Sequence, residues 1–225
     1  MRYSCFAAVF MLMISLVFAE EQKTLEGKPV LCPEEAAKGF VSLFDGKTFD
    51  GWQKGIAGYQ IEDGKLVSKK GGSGHILTRK QYADFILRFE YKLEPGGNNG
   101  VAIRTPLKRT PPADGMEIQI LDDSSPKYKN LADYQYNGSL YRRIPAKRGH
   151  MKPVGQWNSE EIMCKGSHLK VTLNGTVILD ADLKPYGTKA VDGSPHPGLQ
   201  RKKGYIGFMG HRDRVEFRNI RIKEL

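Results

Sequence analysis

The sequence predicts an all-β protein, an antiparallel two-sheet jelly-roll sandwich with long connecting loops. Three observations carry this. Apolar and polar residues alternate with a period of two in short runs, and turn residues separate those runs. No window shows the 3.6-residue period of an amphipathic helix; Glu34–Lys38 offers one turn at most. Many short strands punctuated by turns are the mark of sandwiches and jelly rolls.

Residues 1–19 stand apart from that domain. Arg2 precedes Phe6–Phe18, an apolar run without a charge, and Val17-Phe18-Ala19 places small residues at −3 and −1 of a cut after Ala19. This pattern describes a Sec-type secretory signal peptide, too short for the roughly twenty apolar residues of a bilayer span. The expectation is an exported protein, periplasmic or extracellular, with no integral membrane span after cleavage. Residues 20–38 are polar and carry Pro29 and Pro33, which predicts an extended leader or clasp. Residues 39–225 then form the single folded domain.

Within it, Glu62-Asp63-Gly64-Lys65 marks a hairpin between Ile61 and Leu66. Phe85, Leu87, Phe89, Tyr91 and Leu93 share one face of the next run. Pro95–Gly100 (PGGNNG) leads into Val101–Thr105, and the two runs read as an antiparallel pair. In Gly115–Asp123, Ile118 and Ile120 face away from Glu117 and Gln119. Asn174-Gly175, between His168–Leu173 and Thr176–Asp180, is a two-residue hairpin signal. In the last strand Val215 and Phe217 differ in parity from Ile220 and Ile222. A one-residue bulge near Arg218–Asn219 would return all four to the core. Long loops are expected at Leu107–Gly115, Ser124–Gly155 and Leu183–Lys203, and loops of such length are usually functional or disordered.

The formal net charge is +10, and Arg2 is the only charged residue in the signal, so the mature chain carries +9. Basic residues gather at Arg142–Lys152, Arg201–Lys203 and Arg212–Lys223. No nucleic-acid-binding motif accompanies them, so a solvated basic surface is expected and nucleic acid is not a partner. The chain lacks a GxSxG elbow, a phosphate-binding loop, an HExxH helix and paired-Cys zinc spacing. Cys5 leaves with the signal. Cys32 and Cys164 could pair, or serve as small apolar residues.

The polar side of Gly115–Asp123 has two readings. It is a solvated outer face, as on most sandwiches, or it is a groove that holds a sugar. If Val101–Thr105 shares its sheet, Arg104, Glu117 and Gln119 stand on the non-core face, walled by the long loops. Sugar hydroxyls pair with such donors and acceptors, and Tyr134, Tyr136, Tyr141 and Trp157 are nearby aromatic platforms. His211 lies in Gly207–Asp213, where a turn between the last two strands carries an imidazole to the sheet edge. His75, His150, His168 and His196 sit in loops or at strand edges and carry no such signal.

The segment Gly39–Trp52 (GFVSLFDGKTFDGW) resembles the opening signature of the 3-keto-disaccharide hydrolase domain family. The likeness continues through Gly97–Arg104 (GNNGVAIR), GMEIQILDD, NGSLY (Asn137–Tyr141), KPVGQWN (Lys152–Asn158), LNG (Leu173–Gly175) and FRNIRIKEL (Phe217–Leu225). It covers nearly the whole mature chain. One departure is Met209-Gly210-His211-Arg212, where the family usually has a Gln-Asp-His-Gly-like stretch; the His is retained and its acidic neighbour is not.

The resemblance implies a concanavalin A-like lectin/glucanase fold and an exported bacterial enzyme acting on glycosides oxidised at C3. Its carbohydrate partner would be a 3-keto-glycoside or 3-keto-disaccharide. The implied chemistry is C2 proton abstraction, elimination of the C1 aglycone and hydration. Glu117 or His211 is then the expected base, and Arg104 the cation beside the C3 oxygen. Gln119, Asn99, Tyr141, Trp157 and Asp122 are expected to bind substrate, with Tyr141 a candidate proton donor. The one cofactor that enters is a divalent metal ion, which Glu117 and His211 would hold as an alternative to Arg104. The alternative function is a non-catalytic carbohydrate-binding jelly-roll module.

Overall fold

The thirteen short strands among the described residues, most of them half apolar by parity, must bury one face each, and two facing sheets do this. The structure is a computed structural model and describes residues 31–225. The expected signal peptide, and most of the expected leader, lie outside the described residues.

In chain order the strands are β1 (Val41–Ser42), β2 (Trp52–Gln53), β3 (Tyr59–Glu62), β4 (Lys65–Ser68), β5 (Ser73–Thr78) and β6 (Phe85–Leu93). There follow β7 (Asn98–Thr105), β8 (Met116–Leu121), β9 (Asn158–Lys165), β10 (His168–Leu173) and β11 (Thr176–Asp182). The last are β12 (Tyr205–His211) and β13 (Val215–Glu224). The larger sheet runs β11-β10-β9-β6-β13-β4-β3, with β1 on β13, and the smaller runs β2-β5-β12-β7-β8. All the pairs within them are antiparallel. The two described helices are single turns, α1 (Pro33–Ala37) and α2 (Pro111–Asp114). Neither is long and apolar enough to cross a membrane.

The core lies between the sheets. Phe85, Leu87, Phe89, Tyr91 and Leu93 of β6 meet Val101, Ile103, Ile118, Ile120 and Phe208 from the smaller sheet. The Phe208 and Phe217 rings bridge the two layers at 4.1 Å between centroids. The expected hairpins at Asp63-Gly64 and Asn174-Gly175 are present, each with both turn residues at positive φ. The bulge is present too: the β13–β6 register shifts between Arg218 and Arg221, Asn219 has φ 51°, and Val215, Phe217, Ile220 and Ile222 are all buried.

One expectation is corrected and one open question is settled. PGGNNG is not a hairpin turn, for β6 pairs with β9 and β13 while β7 pairs with β8 and β12. Two runs with wide apolar faces bury them against each other, so the chain crosses between layers and does not fold back in one. The Cys pair is not formed: both thiols are free, Cys164 buried on β9 and Cys32 exposed. Before the first strand, Glu35 of α1 pairs with Arg221 and with Arg88 (2.9 Å), clasping that end to the outside of the larger sheet.

Candidate active site

Strand β8 centres the site. Met116, Ile118 and Ile120 enter the core, so Glu117 and Gln119 stand on the outer face of the smaller sheet. Register sets their neighbours. Glu117 lies beside Ala102 of β7, Ala102 beside Gly207 of β12, and Gly207 beside Leu77 of β5. Two residues along each strand, Gln119 faces Gly100, and Met209 faces His75. Two further, His211 faces Ser73. Small or flexible side chains thus floor the middle of this face, with Glu117 and Gln119 on one side and His75 and His211 on the other.

Gly100 decides where the Glu117 carboxylate goes. A Cβ on Gly100 would stand 2.2 Å from Glu117 Oε1, so its absence lets the carboxylate lean over β7 toward β12. Glu117 is 2% exposed, and that burial alone raises its pKa to about 8. In the amide orientation that satisfies its surroundings, Gln119 donates to Asn99 O (3.0 Å) and to Glu117 Oε1 (3.3 Å). Tyr141 joins the edge of β8 through its N–H to Glu117 O (2.9 Å). Its hydroxyl accepts from Gln135 Nε2 (3.2 Å), leaving the phenol proton for another acceptor.

The far side carries two imidazoles, His75 and His211. Burial lowers the pKa of half-buried His75, and Lys54 and His211 lower it further. His211 reaches solvent, yet enough protein surrounds its ring to lower its pKa, with Asp213 opposing and Lys127 adding. His75 Nδ1, like Asn98 Oδ1 on β7, is buried without a partner. Leu107 and Tyr205 pack against Leu77, Ala102 and Met209, and Lys54 Nζ donates to Leu107 O (2.7 Å), closing one end of the face.

Of the expected site residues, Glu117, Gln119, Tyr141 and His211 are on or beside this face, and four others are not. Arg104 breaks the parity of β7 at φ 47° and turns away. Its guanidinium donates to Ala83 O (2.9 Å), Gly166 O (2.7 Å), Arg201 O (3.2 Å) and Asp84 (2.9 Å), and it is 2% exposed. It is an anchor between loops. Asn99 shares the parity of Val101 and lies inside the sandwich, where Oδ1 accepts from Gly100 N (2.8 Å) and Met209 N (3.0 Å). Asp122 is committed to a turn, accepting from Gly96 N, Ser124 N and Ser124 Oγ. Trp157 belongs to the outside of the larger sheet, stacked by Lys92 and Arg218.

The metal alternative calls on Glu117 and His211. The backbones of Glu117 and His211 are two strands and four residues apart, about 10 Å across and about 13 Å along the sheet, and the carboxylate's lean over Gly100 takes up one strand and two residues of that. Among the described residues no group of three or more His, Cys, Asp or Glu side chains converges on one point.

Asn98 and His75 were missed, and parity would have found both. With Val101 and Ile103 inward, Asn98 and not Asn99 falls outward. With Ile76 inward, His75 does the same. Two surface hollows border other segments, one of about 360 Å³ beside Lys70, Lys127 and Arg214, one of about 690 Å³ beside Asp123, Arg148 and Lys152. Neither is lined by the Glu117 group.

A family model of the 3-keto-alpha-glucoside-1,2-lyase-like domain matches residues 39–223. The chain belongs to this family. A 3-keto-disaccharide hydrolase of Bacteroides thetaiotaomicron is 27% identical, over 94% of this chain and 87% of that protein. A solved Parabacteroides distasonis structure, named "Putative glycosyl hydrolase", is 31% identical with a TM-score of 0.74, covering 83% of this chain and 99% of that one. A Bacillus subtilis protein with a galectin-like fold superposes at a TM-score of 0.54 and 13% identity, covering 82% and 94%. That likeness speaks to the fold alone, and agrees with the expected lectin-like jelly roll. In this family member the outer face of the smaller sheet carries Glu117 and Gln119 from the segment that first suggested a groove.

Proposed function

We propose that this chain is an exported enzyme that cleaves 3-keto-glycosides, 3-keto-disaccharides among them, on the outer face of the smaller sheet. The observation that carries the reading is the buried Glu117 carboxyl, held over Gly100 beside the Gln119 amide. A carboxyl with a pKa near 8 exchanges protons at neutral pH, as acid–base catalysis requires. Family membership and the name of the Bacteroides relative support the substrate class.

The reaction needs modest equipment. A ketone at C3 acidifies the hydrogen on C2. A base removes that proton, and the electron pair it leaves forms an enolate with its charge on the C3 oxygen. The enolate expels the aglycone oxygen from C1, which takes up a proton. Water adds at C1 of the unsaturated sugar and a proton returns to C2, giving the free 3-keto sugar. The Tyr141 hydroxyl, whose proton is uncommitted, is the donor available to the C3 oxygen, while the Gln119 amide is spent on Asn99 O and Glu117 Oε1. Ordinary glycosidases flank the bond with two carboxylates. The rows beside Glu117 hold Gln, Gly, Ala, Met and His instead.

The test is incubation with 3-keto-trehalose or a 3-keto-glucoside, following aglycone release. Release by the wild type and a loss on the order of 100-fold in Glu117→Gln are expected. Saturable binding without release by the wild type would make the chain a carbohydrate-binding module. Export is checked by N-terminal sequencing of the secreted chain, which should begin at Glu20.

A further inference from the structure

We propose that His75 is the base that removes the C2 proton, and that Glu117, facing it across the sheet, protonates the departing aglycone oxygen. This rests on the function proposed above and deepens it, for it brings in a residue that neither the family resemblance nor the expected site contained.

Geometry carries the assignment. Elimination needs a base and an acid within reach of one sugar ring, at C2 and at the oxygen on C1. From the carboxylate's seat over Gly100 the backbones of His211 and His75 are both within about 10 Å, and burial separates the two. Because the carboxylate leans over Gly100, the backbone beneath it is on β7, and His75 is on β5 with only β12 between them. Two strand spacings make about 10 Å between those backbones, and the imidazole projects from one side of that span. The floor between is Met209, which is directly opposite His75, and Gly207, which has no side chain. His75 is half-buried, whereas His211 stands at the end of β12 and reaches solvent.

The electrostatic setting assigns the roles. Buried Glu117 keeps its proton up to about pH 8, so near neutrality it is a carboxylic acid with a proton to give. His75 is pushed the other way, by burial first and then by Lys54 from the β2 side and His211 from β12. It is therefore a neutral imidazole with a lone pair to accept a proton. Two titratable groups whose surroundings drive them apart are the mark of an acid–base pair. The unpartnered Nδ1 of His75 agrees with a group whose partner is the substrate. The step balances: the C2 proton passes to His75, the C2–H electron pair becomes the enolate and then the C1–C2 double bond, and the aglycone leaves with the proton of Glu117.

The experiment separates proton abstraction from leaving-group departure. Wild type, His75→Gln and Glu117→Gln are each given a 4-nitrophenyl and an alkyl 3-keto-glucoside. Deuterium uptake at C2 of the free 3-keto sugar in D₂O is followed by NMR. His75→Gln should lose C2 exchange and both aglycones by on the order of 100-fold, and imidazole should partly restore them in His75→Ala. Glu117→Gln should keep C2 exchange, keep release of the 4-nitrophenol, which leaves as an anion, and lose release of the alcohol. The reverse pattern, or full exchange in His75→Gln, overturns the assignment while leaving the proposed function standing. A wild type that releases neither aglycone overturns the function, and the assignment with it.

Discussion

Glu117 Oε1 lies 2.2 Å from the point where a side chain on Gly100 would begin. The glycine is thus part of the site: it is the space in which the carboxylate sits. Gly100→Ala should fold, because the clash is with the mobile end of one side chain and not with backbone. The carboxylate must move, and with it the group proposed to act on the sugar. The expected outcome is at least a tenfold fall in kcat with a stability change under about 1 kcal/mol, read by turnover of a 3-keto-glucoside and by thermal melting. Unchanged turnover would detach Glu117 from the chemistry.

Asn98 and Asn99 make a matched pair of opposite fates. Asn98 stands on the outer face with Oδ1 unpartnered, and Asn99 plugs the β7–β12 ladder from inside. Asn98→Ala should raise KM several-fold and leave the melting temperature nearly unchanged. Asn99→Ala should cost about 2 kcal/mol, the penalty for orphaning two buried N–H donors. Denaturant titration and kinetics of the two variants, side by side, check this.

Arg104 ties three carbonyls and Asp84 into one corner of the sandwich. Arg104→Met should lower stability by about 3 kcal/mol, since the acceptors are left without their donors. Arg104→Lys should recover little of it, a single ammonium being unable to reproduce the planar fork. A stable Arg104→Met with lost turnover would return the residue to the catalytic set.

Glu160 on β9 is 2% exposed, has no partner for either carboxylate oxygen, and is pushed up to about 8 by burial. Its folded pKa lies above its unfolded one. The stability it contributes is therefore complete below about pH 4.5 and is lost as pH rises to about 8. Glu160→Gln should stabilise the protein by on the order of 2–4 kcal/mol at pH 9 and by little at pH 5, at about 1.4 kcal/mol per pKa unit. Denaturant titrations at the two pH values decide it. Glu117 contributes a parallel slope, which the variant should leave in place.

How much of this was readable beforehand differs residue by residue. The alternation in Phe85–Leu93 and in Glu117–Ile120 states which side chains go in and which go out, because a strand has only two faces. The Asp63-Gly64 and Asn174-Gly175 turns, and the bulge at Asn219, were equally local: positive φ and a change of parity are written in a few adjacent residues. Function was legible only through resemblance, since Glu, Gln and Tyr on a polar face are equally the residues of a wet one.

What the chain by itself determined is therefore the all-β class, the faces of its strands and the segment around Glu117. The tertiary structure decided which strands share a sheet, and so separated β6 from β7. It sent Arg104 to a loop anchor through one left-handed residue, and set His75 across the sheet from Glu117. The physical reason is range. Parity and turns follow from the stereochemistry of neighbours, whereas sheet order, burial and the pKa values they impose depend on residues dozens of positions away being brought into contact.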